Sequence, residues 1–258
     1  MTPRDKISAA ISHARGGNAI VAFITAGYPL REKFREHLTQ VGNEADVVEI
    51  GVPFTDPMAD GMTIQRSSRE ALAQGVSLRW LLEELEAMKR DSKLPSAPLV
   101  LMSYLNPLLA FGFTKLAETS ARAGVCGFIV PDLPYDESTE FRAALDAHGI
   151  ALIQMVTPVT GPARLKQLCA ASQGFIYAVT MTGTTGRTAS LGDVSKYLAS
   201  VRAVAKLPVC AGFGIRNREQ VEALREHCEG VIVGSALVEV LETGQDAAAF
   251  LKALRASG

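Results

Sequence analysis

Cysteine is scarce in this chain and poorly placed for chemistry. Cys126, Cys169, Cys210 and Cys228 are far apart and form no CxxC pair, so they offer neither a disulfide framework nor a thiolate metal site. They read as small buried apolar side chains. Histidine is as sparse: His13, His37, His148 and His227 fall in or beside helical stretches, with no two at metal-ligand spacing. Acid–base chemistry therefore falls to carboxylates or tyrosine, and no catalytic metal is expected. An excess of either charge is missing too. With 26 Lys and Arg against 27 Asp and Glu, the net charge of −1 does not suit a nucleic-acid or anionic-membrane surface. No apolar run reaches the roughly 18 residues that span a bilayer, and the opening MTPRDKISAAISHARGG has no signal-peptide core. A cytoplasmic location is the expectation. Repeats, low-complexity tracts and linkers are absent as well, so residues 1–258 are expected to form a single domain.

What the chain does have is alternation. Short apolar runs at 19–27, 46–54, 98–104, 126–132, 150–158, 174–181, 207–214 and 230–236 are separated by stretches of helical spacing such as SLRWLLEELEAMKR and TKLAETSARAG. The runs are apolar on both faces, as parallel strands covered on each side must be. Eight strands alternating with helices over about 250 residues predict an α/β fold, a (β/α)₈ barrel with extra short helices. A doubly wound sheet would favour a GxGxxG turn after the first strand, but Gly27 is followed by Tyr28-Pro29. In such a barrel the chemistry lies at the C-terminal ends of the strands.

Two carboxylates stand out there. Glu49 lies inside the second apolar run, and Asp60 follows on a loop rich in Pro, Gly and Thr. Apolar surroundings raise a carboxyl pKa, so Glu49 is placed to hold and deliver a proton, whereas Asp60 is expected to stay ionised and stabilise positive charge. A buried ion pair for Glu49 and a helix cap for Asp60 explain the same residues without chemistry. Near the C-terminus, TGTTG (182–186), GFGIRN (212–217) and GSA (234–236) follow the last three strand runs. Glycines there, with Gly234-Ser235 opening a helix, suit a phosphorylated ligand.

Together these stretches resemble the tryptophan synthase alpha subunit family. The second run and its loop read Glu49-Ile-Gly-Val-Pro-Phe-Thr55-Asp56-Pro57-Met-Ala-Asp60-Gly61-Met62-Thr-Ile-Gln65, with further echoes in FITAGYP (23–29), LMSYLNP (101–107), VPDLP (130–134), AGFGI (211–215) and VGSALV (233–238). Thr55 stands where the family has Ser, Met62 where Pro is common, and the 182–188 loop departs from the usual pattern although Thr185-Gly186 is kept. The resemblance implies a metal-independent carbon–carbon lyase of L-tryptophan biosynthesis, cleaving indole-3-glycerol phosphate to indole and glyceraldehyde 3-phosphate. It makes Glu49 the acid/base, Asp60 the stabiliser of the indole N–H, and Tyr177 a residue beside the reacting centre. Phe23, Tyr104, Ile129 and Phe213 would line the indole pocket, and Gly186, Gly214, Gly234 and Ser235 would bind phosphate. It implies no cofactor in this chain, pyridoxal phosphate belonging to a partner beta subunit in an alpha2beta2 heterotetramer. A standalone indole-3-glycerol-phosphate lyase, another phosphosugar barrel, and a barrel kept only to activate a partner remain alternatives.

Overall fold

The computed structural model describes residues 1–14, 17–180, 191–212 and 214–255. In it the eight apolar runs are parallel strands, each somewhat shorter than its run. They are β1 (Ala19–Thr25), β2 (Val47–Gly51), β3 (Leu99–Met102), β4 (Val125–Ile129), β5 (Ala151–Val156), β6 (Ile176–Val179), β7 (Val209–Gly212) and β8 (Gly230–Val233). They pair in chain order and close where β8 meets β1, as the alternation predicts.

Side-chain period two divides each strand between two cores. On β2, Val48 and Ile50 join the large outer layer beneath the helices, while Val47 joins the inner one, so Glu49 and Gly51 must also point inward. Strand register then sets the height of each inward residue. Phe23 on β1, Glu49 on β2 and Val100 on β3 stand side by side, and across the barrel Tyr177 is level with Cys210 and Gly230.

The helices supply the outer layer. Leu78–Arg90 starts at Ser77, whose hydroxyl accepts the Trp80 N–H at 3.2 Å, and buries Leu78, Leu81, Leu82, Leu85 and Met88. Each such Leu is worth about 1.5–3 kcal/mol when removed from water. Phe113–Ala123 ends at Gly124 in the left-handed conformation (φ 83°), the stop that its sequence predicts. Ser235–Glu242 and Ala247–Leu254 close the chain. All four cysteines are buried and free. No helix among the described residues is long and apolar enough to cross a membrane.

The first helix, Pro3–Ser12, does something the sequence did not announce. It lies under the N-terminal end of the barrel and drives Ile7 and Ile11 into the inner core against Ala19, Val21, Val47 and Phe175. Thr2 and Asp5 form a reciprocal capping box at its start. Arg4 pairs with Asp146 at 2.7 Å, and the Ser8 hydroxyl donates to the Gly174 carbonyl at 2.6 Å. This end is sealed.

Candidate active site

At the opposite end the inward side chains do not fill the space. A cavity of about 210 Å³ opens there, with Glu49, Asp60, Phe23, Tyr177, Gly214 and Gly234 among the residues on its wall. Its shape depends on missing side chains. A Cβ on Gly51 would come within 2.5 Å of the Phe23 ring, and one on Gly212 within 3.2 Å of the Tyr177 ring. Two glycines thus let two aromatic rings lie flat against the barrel wall.

Glu49 is only 1% exposed, and neither carboxylate oxygen has a hydrogen-bond partner among the described residues. Among the described residues no ion pair compensates its burial. Desolvation first, and the nearby Asp60 charge second, push its pKa up to about 8. At neutral pH it holds a proton.

Asp60 reaches the cavity by a different route. The chain leaves β2 through Val52-Pro53, turns with Asp60 N–H donating to the Pro57 carbonyl at 3.0 Å, and enters the helix Met62–Ala73 after Gly61. The Asp60 side chain does not cap that helix. Instead its Oδ2 accepts a hydrogen bond from the Tyr104 hydroxyl at 3.0 Å, and the same hydroxyl accepts the Ala59 N–H at 2.9 Å. Phe54 stacks on the Tyr104 ring with centroids 5.2 Å apart. The loop's polar composition predicts a carboxylate that stays ionised, and the surroundings in the fold are less polar than the loop itself. Burial raises the Asp60 pKa to about 6 against the lowering effect of the Tyr104 bond. The loop is polar in sequence, but what packs over it is aromatic. Even so, Asp60 is mostly ionised at pH 7 while Glu49 is mostly protonated, which is the division of labour an acid–base pair needs.

Tyr177 projects from β6 beside them, its phenol held well above the ordinary value by burial and then by the two carboxylates. It stays neutral at pH 7. Gly214, Gly234 and Ser235 line the same cavity at the edge farther round the barrel, where Gly234 precedes the helix Ser235–Glu242. The first-turn N–H groups of a helix have no intrahelical acceptors and favour an anion. No Lys or Arg lines the cavity among the described residues. The described residues contain no cluster of three or more His, Cys, Asp and Glu side chains able to hold a metal ion.

Of the other expected residues, Tyr104 supports Asp60 from behind. Ile129 is fully buried in the inner core, in register with Met102 and Ile153, and does not line the cavity. Gly186 and Phe213 lie outside the described residues. The sequence reading missed Met102, Val179, Ile232 and Ile64, which do line it. Period two could have found three of them: Met102 shares a face with Val100, Val179 with Tyr177, and Ile232 with Gly230.

Comparison with known proteins agrees with this geometry. The family model described as "Tryptophan synthase alpha chain" matches residues 10–257. The tryptophan synthase alpha chain of Nitratidesulfovibrio vulgaris (strain DP4) is 43% identical over 244 residues, 94% of either chain. That of Carboxydothermus hydrogenoformans is 42% identical over 231 residues, 89% of this chain and 85% of that one. Among solved structures, tryptophan synthase from M. tuberculosis in its aminoacrylate-bound form superposes with a TM-score of 0.86 at 32% identity, covering 98% of both chains. The alpha subunit from Legionella pneumophila str. Paris gives 0.87 at 30% identity, over 99% and 97%. Its barrel, its carboxylate pair and these relatives place the chain in the tryptophan synthase alpha chain family.

Proposed function

We propose that Glu49 and Asp60 together carry out the alpha reaction of the family, the cleavage of indole-3-glycerol phosphate to indole and glyceraldehyde 3-phosphate. The observation that carries this reading is the buried, unpartnered Glu49 carboxyl, protonated at neutral pH beside an ionised Asp60. Protonation of indole C3 by Glu49 makes the ring nitrogen electron-poor, and the Asp60 carboxylate stabilises the positive character of its N–H. The Glu49 carboxylate then takes the proton of the glycerol hydroxyl next to the ring. The carbon–carbon bond breaks, and its electron pair returns to the indole ring as the aldehyde forms. One carboxyl gives a proton and recovers one, so no metal or cofactor of this chain enters the step.

In this reading Phe23 and Tyr177 flank the flat ring, and the Gly234-Ser235 turn with Gly214 holds the phosphate through backbone N–H groups. The test is the pH dependence of indole release. kcat/KM should be bell-shaped, with an acid limb near pH 6 for Asp60 and an alkaline limb near pH 8 for Glu49. A rate that keeps rising through pH 9 would reject a protonated Glu49 as the acid.

The partner is a pyridoxal-phosphate beta subunit in an alpha2beta2 assembly, docking around Pro53, Asp56 and the Asp60 loop. Met58 and Met62 support that docking face: they flank Asp60 and are 82% and 86% exposed, unusual for large apolar side chains. Covering them would fix the loop that carries Asp60. A saturating beta subunit should raise kcat for indole release at least about tenfold, equivalent to roughly 1.4 kcal/mol. A complex that forms on gel filtration without activation would reject the coupling.

A further inference from the structure

Three elements at the cavity end of the barrel meet at one carboxylate that lies outside the cavity. Glu239 stands on the helix Ser235–Glu242, one turn beyond Ser235. The Arg216 guanidinium donates to it twice, from Nη1 to Oε2 at 2.8 Å and from Nη2 to Oε1 at 3.2 Å. The same Oε1 accepts the Thr63 hydroxyl at 3.2 Å. Arg216 lies two residues past Gly214, and Thr63 lies three past Asp60. Gly214 and Asp60 both line the cavity. One turn further along, Arg66 pairs with Glu242 at 2.5 Å, so the helices Met62–Ala73 and Ser235–Glu242 run side by side in the same direction.

Stability does not account for this arrangement. The Arg216 and Glu239 side chains are 58% and 37% exposed, and an ion pair so open to water stabilises a fold little. What a two-pronged pair supplies is fixed geometry. In an active site that matters, since a misplacement of roughly 1 Å costs on the order of 100-fold in rate. The Arg216 hydrogen bonds hold the Glu239 carboxyl below its ordinary value, so the tether stays charged while Glu49 and Asp60 titrate.

We propose that Glu239 is a positioning residue for the cleavage assigned above, and the proposal rests on that assignment. Through Thr63 it fixes the loop that carries Asp60, and through Arg216 it fixes the Gly214 loop at the phosphate end. The two arms serve different parts of the substrate. Asp60 acts where charge develops in the transition state, so slack in its loop lowers kcat. Gly214 faces a phosphate that is bound before and during the reaction, so slack there raises KM.

The test is steady-state release of indole from indole-3-glycerol phosphate by the full chain and its variants. Thr63→Val should lower kcat about fivefold, the worth of one neutral hydrogen bond, and leave KM in place. Thr63→Ser keeps the hydroxyl and should run at the wild-type rate. Arg216→Ala should raise KM about tenfold, as loss of a charged pair does, and leave kcat in place. Glu239→Ala should do both, and adding Thr63→Val to it should lower kcat no further, because the bond is already gone. Glu239→Ala with wild-type constants, a further fall in the double variant, or Thr63→Val and Arg216→Ala altering the same constant would each overturn the proposal. Should Glu239→Ala fail to fold, the split between the two single variants decides. A wild type that releases no indole would reject the cleavage itself and the positioning role with it. An active wild type beside an equally active Glu239→Ala would reject the positioning role alone.

Discussion

The two ends of this barrel are built from the same strands and follow opposite rules. On β2, Val47 at the lower end is fully buried in the apolar inner core with Ile7, Val21 and Val100. Two residues further on, Glu49 is as deeply buried but keeps a carboxyl without a partner among the described residues. At the lower end a helix presses its isoleucines into the opening. At the upper end Gly51 and Gly212 withhold side chains so that a cavity remains. The lower end buries apolar surface, the term that stabilises folding. The upper end stores an unfavourable burial that gives a carboxyl its working pKa.

The sharpest way to break this contrast is Glu49→Gln, which keeps the shape and removes the exchangeable proton. Loss of a general acid–base group costs about 10²–10⁴-fold, and the fall should appear in kcat for indole release. The same variant should be more stable than the wild type, in a pH-dependent way. Glu49 is raised from its ordinary 4.5 to about 8 in the fold, so between those values the native state holds a proton that the unfolded chain has released. Wild-type stability therefore falls as pH rises through that window, and the glutamine variant escapes the fall. The advantage should be small at pH 5 and grow to the order of 4 kcal/mol by pH 8. Urea denaturation at several pH values measures it. An advantage that does not change with pH would mean that Glu49 is charged in the native protein.

Ile7→Ala probes the other end. Ile7 is fully buried, and its Cδ1 lies 3.0 Å from where a Gly127 Cβ would stand, so the truncation opens a hole in a tightly packed seal. Such a change costs about 2–5 kcal/mol of stability. If the lower end serves stability alone, the variant that remains folded should keep the wild-type kcat at a temperature well below its midpoint. A tenfold loss of kcat in folded protein would show that the two ends are coupled through the inner core.

How legible these ends were differs as much as their chemistry. The eight strands were readable because buried parallel strands leave continuous apolar runs, and the helix start at Ser77 and stop at Gly124 follow from local backbone chemistry. Glu49 was readable because a carboxylate interrupts such a run. The role of Pro3–Ser12 was not, since its amphipathic pattern fits a surface helix as well as a plug and only the closed barrel supplies the hole it fills. Met102, Val179 and Ile232 share faces with readable residues, but whether they reach the cavity depends on the stagger between strands. Register is a long-range property, and a single strand does not encode it. The same holds for Asp60: its loop is polar in sequence, and the raised pKa comes from burial in the closed barrel, partly offset by the hydroxyl of Tyr104, 44 positions away.

That last contact yields the smallest and most selective prediction. The Tyr104 hydroxyl donates to Asp60 at 3.0 Å and stabilises its charged form, partly offsetting the burial that raises its pKa to about 6. Tyr104→Phe keeps the ring stacked on Phe54 and removes that donor, together with the acceptor of the Ala59 N–H. The ionised form loses support, so the Asp60 pKa rises and the acid limb of kcat/KM moves toward neutrality. Glu49 makes no bond to Tyr104, and its shift comes from desolvation and from the Asp60 charge, which is fully developed by pH 8 in wild type and variant alike. The alkaline limb should therefore stay in place. A single neutral donor is worth about 1 kcal/mol, and the variant should lose roughly threefold at pH 6 and almost nothing at pH 8. The measurement is the full pH profile of both proteins. An acid limb that moves to lower pH would reverse the assigned direction of the hydrogen bond's effect. Two limbs moving together would mean that the carboxyls titrate as one unit, and the upper end would then hold a shared proton in place of a separate acid and base.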